Sequence, residues 1–486
     1  MALKTLIAHS MKNPSNGPDT PLYYQDATAL ATLIRTRQVT PREVVQAHLD
    51  RISAVNPQLN ALVTLLADEA LQAADAAGKA VMSGAALGPL HGVPFTAKDS
   101  IDTADVLTQR GSPIFQGRTP ETDATSVARL KQAGAILLAK TNLPEFSYST
   151  ETDNLLTGRS NNPWNLARTP GGSSGGESAA IAAGLSPLGL GTDLAISVRG
   201  PAANTGIIGF KATHGRIPMT GIWPRVPRRN WHVGPMARSV RDVALAYSPL
   251  AGPDGADGFS TLPLRFDTGV GAAPDRPLRV GWLVEPGFGP IDAEVAATVQ
   301  AAAEALHGAG CVVEPVRIPA LERENALDIF WQLHVMEVKP AFAEATAGRE
   351  HDMFTISKAM LAEPDTAIRA YVLAEQAAER LRDGFAAYFQ HYDALLCPVL
   401  PIPAHAHGLS EFTINGQTVP ATHSLSATVA LNVTGLPGLS IRFGTSSDGL
   451  PIGVQLVANW WAESTVLHLA SLLEAASPVR DLHPSL

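Results

Sequence analysis

The chain has 486 residues, 45% of them hydrophobic and 17% charged, with 36 basic and 45 acidic side chains and a formal charge of −9. This supplies a large core, excludes global disorder and, with no Lys/Arg-rich run, argues against a nucleic-acid partner. Two cysteines, Cys311 and Cys397, make neither a disulfide framework nor a zinc site, and neither a secretory signal nor an apolar run of about 18 residues is legible, so the expectation is a soluble, cytoplasmic protein with no membrane partner.

Residues 1–22 are rich in Pro, Asn and Gly and read as a loose N-terminal arm. A helical pattern covers 27–37. A second helix starts at Thr40, which serves as cap, with Pro41 at the first position and Glu43 completing a capping box. Residues 60–66 suit a strand and 67–82 an alanine-rich helix. A turn at 88–92 leads into a short apolar strand over 93–97, which ends in Lys98. A helix over 126–133 and a strand over 135–139 follow. Beyond the glycine-serine stretch described next, 206–210 is apolar and 239–251 helical. Residues 252–277, rich in Gly, Asp and Pro, read as a surface loop. A strand at 278–284 and a helix at 292–309 precede an almost wholly helical region over 321–389. Strands return at 394–397, 438–443 and 452–457, and a last helix spans 464–475. Strands interleaved with helices argue for an α/β fold.

The chain is organised around RTPGGSSGGESAAIAAGLSPLGLGTDLAISVR, residues 168–199. Four glycines around Ser173 and Ser174 free the backbone for conformations that residues with a Cβ avoid. Residues 177–184 then read as a helix packed closely by its alanines, with Glu177 in the first turn suiting the helix dipole. Pro187 ends it, and an extended segment delivers Ser197, which should meet Ser173 in space. Gly/Ser runs are usually linkers, but this one runs directly into an apolar helix. A phosphate loop would need a Gly-Lys-Ser/Thr ending that is absent.

A serine is a poor nucleophile until a base takes its proton. No histidine lies in the stretch, and no Gly-x-Ser-x-Gly elbow with a clear histidine partner occurs. Lys98 is the alternative base, because burial lowers a lysine's pKa from about 10.4 and frees its amine. Position alone leaves open a surface lysine at a strand end.

Lys98-Asp99, the stretch RTPGGSSGGESAAIAAG and GTDLAISVRGPAANTGIIGFKAT together resemble the amidase signature family. Order, residue types and spacing match its Ser–cis-Ser–Lys triad. The likeness extends through LHGVPFTAKDSID, DATSVARLKQAGAILLAKTNLPEF, SNNPWNLARTPGG, HVGPMARSVRD, YDALLCPVLP, NVTGLPGLSI and LPIGVQLV, and covers roughly residues 25–475.

The resemblance implies one large α/β domain over 23–480, a mixed twisted sheet covered by helices on both faces, with a signature core over about 90–250 and a helical cap over about 320–390. It implies Ser197 as nucleophile and Ser173, after a cis peptide, as the bridging serine. Lys98 is then the base, and the backbone N–H groups of Leu194, Ala195, Ile196 and Ser197 form an oxyanion hole. Ser174, Asp193 and Arg199 become supports behind the triad. No metal or cofactor is implied; His405 and His407 look like ligands but lack a third partner. The expected reaction is hydrolysis of a C–N bond in a small amide, with esters as side substrates and carbamates also within reach, by a monomer or homodimer. Phe146, Thr150, Phe330 and Trp331 are candidates to line the substrate funnel. Two other readings are an A-subunit-like glutamine-dependent amidotransferase and a non-catalytic binding protein on the same scaffold. The sequence departs from the family at Ala195-Ile196, where Gly-Gly is usual, at Trp231, where many relatives have Asp, and at Asn204-Thr205. Two Cβ atoms before the nucleophile restrict the loop and reshape the acyl pocket.

Overall fold

Eleven strands hydrogen-bond into one mixed sheet in a computed structural model that describes residues 20–226, 230–260 and 276–486. Most of the expected N-terminal arm and the middle of the 252–277 loop lie outside the described residues. The strands are β1 (Leu62–Leu65), β2 (Pro94–Lys98), β3 (Ile136–Thr141), β4 (Leu188–Asp193), β5 (Ile208–Lys211), β6 (His232–Ala237), β7 (Arg279–Trp282), β8 (Val312–Pro315), β9 (Ala394–Pro398), a separate hairpin of β10 (Glu411–Ile414) and β11 (Gln417–Pro420), then β12 (Gly438–Thr445) and β13 (Pro451–Ala458). The sheet order is β1-β3-β2-β4-β6-β5-β12-β13-β9-β7-β8. Parallel pairing joins β3, β2 and β4 on one side and β9, β7 and β8 on the other, with antiparallel strands between.

Successive strand residues face opposite sides. Every residue of β2, β3, β4, β9 and β13 is buried, so both faces of the sheet centre are covered. The covering helices are α1 (Ala27–Arg35), α2 (Pro41–Leu59), α3 (Ala67–Ser83), α4 (Thr125–Gln132), α5 (Gly175–Ala182), α6 (Arg199–Thr205), α7 (Val240–Leu250), α8 (Ala293–Gly308), α9 (Pro319–Arg323), α10 (Ala326–Thr346), α11 (Thr355–Ala362), α12 (Ile368–Tyr388), α13 (Val429–Thr434) and α14 (Glu463–Ala476). The capping box of α2 is formed: Glu43 N–H donates to Thr40 Oγ1 at 3.2 Å, and Thr40 N–H to the Glu43 carboxylate at 2.7 Å.

The expected helix over 177–184 begins earlier, at Gly175, and ends before Pro187, at Ala182. All eight of its residues are buried, as are all seven of α6, so these two short helices belong to the interior. The region expected to be almost wholly helical over 321–389 holds four helices, α9 to α12, of which α10 and α12 pack against each other. No helix among the described residues is long and apolar enough to cross a membrane.

Candidate active site

Lys98 closes β2, between the parallel neighbours β3 and β4, with its whole side chain buried. Its Nζ lies 2.5 Å from Ser173 Oγ and 2.9 Å from Thr192 Oγ1. Burial pushes its pKa well below the ordinary lysine value, against the upward pull of Asp193 and Glu177. Its two direct contacts are neutral hydroxyls. Glu177, in the first turn of α5, accepts hydrogen bonds from Thr96 and, at 2.9 Å, from Thr141. Burial raises its pKa to about 8, over the lowering effect of those hydroxyls and of Lys98 and Lys140. Both members of this buried pair are therefore favoured in their neutral forms.

The Gly172–Ser173 peptide is cis. Gly172 leaves no room for a side chain, because a Cβ there would come 2.5 Å from the Ser149 carbonyl oxygen and 2.7 Å from the Glu151 nitrogen. Ser174 stitches the two serine segments together. Its N–H donates to the Ser197 carbonyl at 3.2 Å, and its Oγ accepts from Thr192 N–H at 3.3 Å. Ser173 and Ser197 are thereby brought into one buried locality.

After β4 the chain turns through residues 194–198 into α6, and Asp193 shapes that turn. Its carboxylate accepts from the N–H groups of Val198 at 3.1 Å and Arg199 at 3.4 Å. It also takes a two-pronged bond from Arg199, with Nε and Nη2 each at 3.0 Å, and one from Asn432 at 2.9 Å. Arg199 reaches on to Gln455 at 2.8 Å and to the Thr428 carbonyl at 3.1 Å. Burial alone would raise the Asp193 pKa, but the charge and hydrogen bonds of Arg199 outweigh it and bring it down to about 2. Among the described residues, the N–H groups of Ala195, Ile196 and Ser197 have no hydrogen-bond acceptor. These residues and Leu194 line a cavity of about 530 Å³.

The cavity is also walled by Tyr148, Thr150 and, from α10, Phe330, Trp331 and His334. Phe146 takes a different place. It is buried in an aromatic cluster with Phe115, Trp223 and Phe342, at centroid distances of 5.0 to 5.9 Å, and does not line the cavity. Trp231 is buried in the core. His405 and His407 flank Glu151, at 3.8 and 3.6 Å, and Glu151 accepts from Gly408 N–H at 2.9 Å, pinning that loop to the cavity rim. Among the described residues no cluster of three or more His, Cys, Asp or Glu is arranged to hold a metal ion.

A family model for amidases matches residues 43–467. The chain belongs to the amidase signature family. It is an amidase-family C–N hydrolase, similar to proteins of more than one activity. The indoleacetamide hydrolase of Bradyrhizobium diazoefficiens is 34% identical, over 94% of this chain and 87% of that one. The A-subunit of the glutamyl-tRNA(Gln) amidotransferase of a Cyanothece species is 31% identical, over 93% and 98%. Among solved structures, 6-aminohexanoate cyclic dimer hydrolase complexed with substrate superposes with a TM-score of 0.86 at 31% identity, over 96% and 99% of the two chains.

Several participants escaped the sequence reading. Thr192 touches Lys98, and Asn432 and Gln455 complete the Arg199 network from more than 200 residues away, where no spacing signal reaches. Glu177 was legible only as a helix-start acid; its two threonine partners sit on separate strands.

Proposed function

We propose that the protein hydrolyses a small amide through an acyl-enzyme on Ser197, with aryl amides preferred and aryl esters and carbamates as further substrates. The observation that carries this reading is the 2.5 Å contact between the buried Lys98 Nζ and Ser173 Oγ. A neutral Lys98 accepts the proton of Ser173, and Ser173 accepts that of Ser197 as Ser197 Oγ attacks the carbonyl carbon. The carbonyl oxygen becomes an oxyanion, stabilised by backbone N–H groups in the 194–197 loop. The relay then reverses: the proton passes to the leaving nitrogen as the C–N bond breaks, and water attacking the acyl carbon frees Ser197. Asp193 and Arg199 hold the loop's shape. Ala195 and Ile196 keep the backbone donors that Gly-Gly would offer, because only the side chains differ. The aromatic wall of the cavity and the likeness to an indoleacetamide hydrolase both favour an aryl group.

The test is the intact mass after exposure to a fluorophosphonate, for the native chain and Ser197→Ala, with both then given anilides, nitrophenyl esters and aryl carbamates. One adduct on the native chain, lost in Ser197→Ala together with hydrolysis, is expected. An adduct that persists in Ser197→Ala names the wrong serine, and no adduct with no turnover favours a non-catalytic scaffold. The likeness to part of an amidotransferase supports a second reading, which glutamine hydrolysis together with co-purifying partner chains would favour.

A further inference from the structure

Tyr148 and His334 form a polar pair in the cavity wall that the hydrolytic chemistry does not use. Both residues line the cavity that holds Ser197. Tyr148 Oη and both ring nitrogens of His334 are buried, and none of the three has a hydrogen-bond partner among the described residues. The rings are stacked, with centroids 5.6 Å apart and planes 14° from parallel. His334 also stacks on Phe330, at 4.7 Å and 15°, and Trp331 meets both Tyr148 and His334 edge-on. A buried polar atom without a partner is unfavourable, and a group entering the adjoining cavity can supply one to Tyr148 Oη and one to a ring nitrogen of His334. Burial also holds the imidazole neutral, its pKa pushed down to about 3, and pushes the phenol's up. A neutral imidazole has one donor and one acceptor nitrogen, and a phenol can play either part.

We propose that Tyr148 and His334 form a substrate subsite for a neutral group that both donates and accepts hydrogen bonds, a hydroxyl or a carboxamide, carried on the aryl portion. This rests on the reading that the cavity holds the substrate of a Ser197 hydrolase. Phe330 and Trp331 flank the pair with aromatic surface, so a matching ligand group gains a hydrogen bond to each ring that a methyl group cannot make. A carboxylate or ammonium finds no opposite charge in either ring and carries its desolvation penalty uncompensated.

The experiment is calorimetric binding of acetanilides bearing hydroxyl, carboxamide, methyl or carboxylate at the meta or para position. The protein is Ser197→Ala, which should bind without turnover, alone and combined with Tyr148→Phe or His334→Phe. Each replacement keeps an aromatic ring and removes the polar atoms, Tyr148→Phe without change of ring size and His334→Phe with a slightly larger ring. The hydroxyl or carboxamide ligand should bind about 10- to 100-fold tighter than its methyl counterpart. That advantage should fall to about threefold or less in each double variant. Equal binding of hydroxyl and methyl, tightest binding of carboxylate, an advantage that survives Tyr148→Phe, or no binding at all would overturn the proposal. Should His334→Phe fail to fold, by its melting curve, Tyr148→Phe decides alone. Fluorophosphonate labelling of the native chain separates the two readings. Labelling without a hydroxyl advantage removes the subsite and leaves the hydrolase, whereas the advantage without labelling does the reverse.

Discussion

Lys98 can act as a base only while its amine is neutral, and its burial and its two direct contacts serve that end against the pull of Asp193 and Glu177. The side chain is buried at the end of β2, its two contacts are neutral hydroxyls, and the nearby Glu177 is itself held protonated up to about pH 8. The rate should therefore rise with pH through a single ionisation well below the usual lysine value and level off above it. A kcat/KM profile between pH 5 and 10 checks this, and a flat profile with intact protein would remove Lys98 from the relay. Lys98→Met should lower kcat/KM by about 10²- to 10⁴-fold. Glu177 makes a separate prediction of opposite sense. Its pKa is raised from 4.5 to about 8 in the fold, so the folded state binds the proton more tightly than the unfolded chain. The resulting stability is complete below about pH 4.5, declines as pH rises, and is gone beyond about 8. Glu177→Gln mimics the neutral acid, so the melting temperature of the native protein should fall relative to that variant across this window and run parallel to it at higher pH. Local chemistry singles out Lys98, a lysine ending an apolar strand, and Ser173, a serine among glycines, whereas Ser197 stands apart only through the resemblance of the whole stretch to a known family. Tyr148 and His334 were not legible, because an unpartnered polar atom is a property of burial, which no window of sequence displays.

Elements were legible where a local rule and the tertiary structure agree. The capping box at Thr40 and the Ser239 cap of α7 state their helix starts outright. Strand β6 went unread because HVGPMA carries Gly234 and Pro235, which argue against a central strand. Yet it lies between β4 and β5, with Pro235 opposite Leu190. The turn into α6 depends instead on a local contact. Ile196 replaces a usual glycine, and its side chain lies against Gly200 one helical turn on, where an added Cβ would come 2.5 Å from Ile196 Cγ1. The two positions therefore trade volume. Gly200→Ala should push Ile196 out of place, costing about 1–3 kcal/mol of stability by overpacking and lowering kcat through the displaced loop. Ile196→Ala/Gly200→Ala should recover most of both losses. Melting curves and turnover on one anilide for the three variants check this, and a Gly200→Ala protein with unchanged turnover would show that the contact does not govern the loop.

Across the whole molecule, the proposed chemistry and the proposed substrate selection fall to different layers. The sheet and its two buried helices hold Lys98, Ser173 and Ser197, locked by the Asp193–Arg199 pair to α13 and β13 through Asn432 and Gln455. The aromatic wall of the cavity comes from α10, in the helical region, and from the loop around Tyr148. Altering that wall should change which substrate is processed more than whether any is. Trp331 gives the sharpest test, since it lines the cavity and makes edge contacts with Tyr148, Phe330 and His334. An indole against an aryl group supplies buried apolar area worth about 1.5–3 kcal/mol, or roughly ten- to a hundredfold in affinity. A short-chain acyl amide that does not reach the wall gains little of this. Trp331→Ala should therefore raise KM for an aryl amide about tenfold or more relative to a short-chain amide, with kcat for the two affected alike. Equal changes in KM for both substrates would mean that the aryl group lies elsewhere in the cavity. A loss confined to kcat would mean instead that α10 acts on the reacting loop itself, and the division between the two layers would fail.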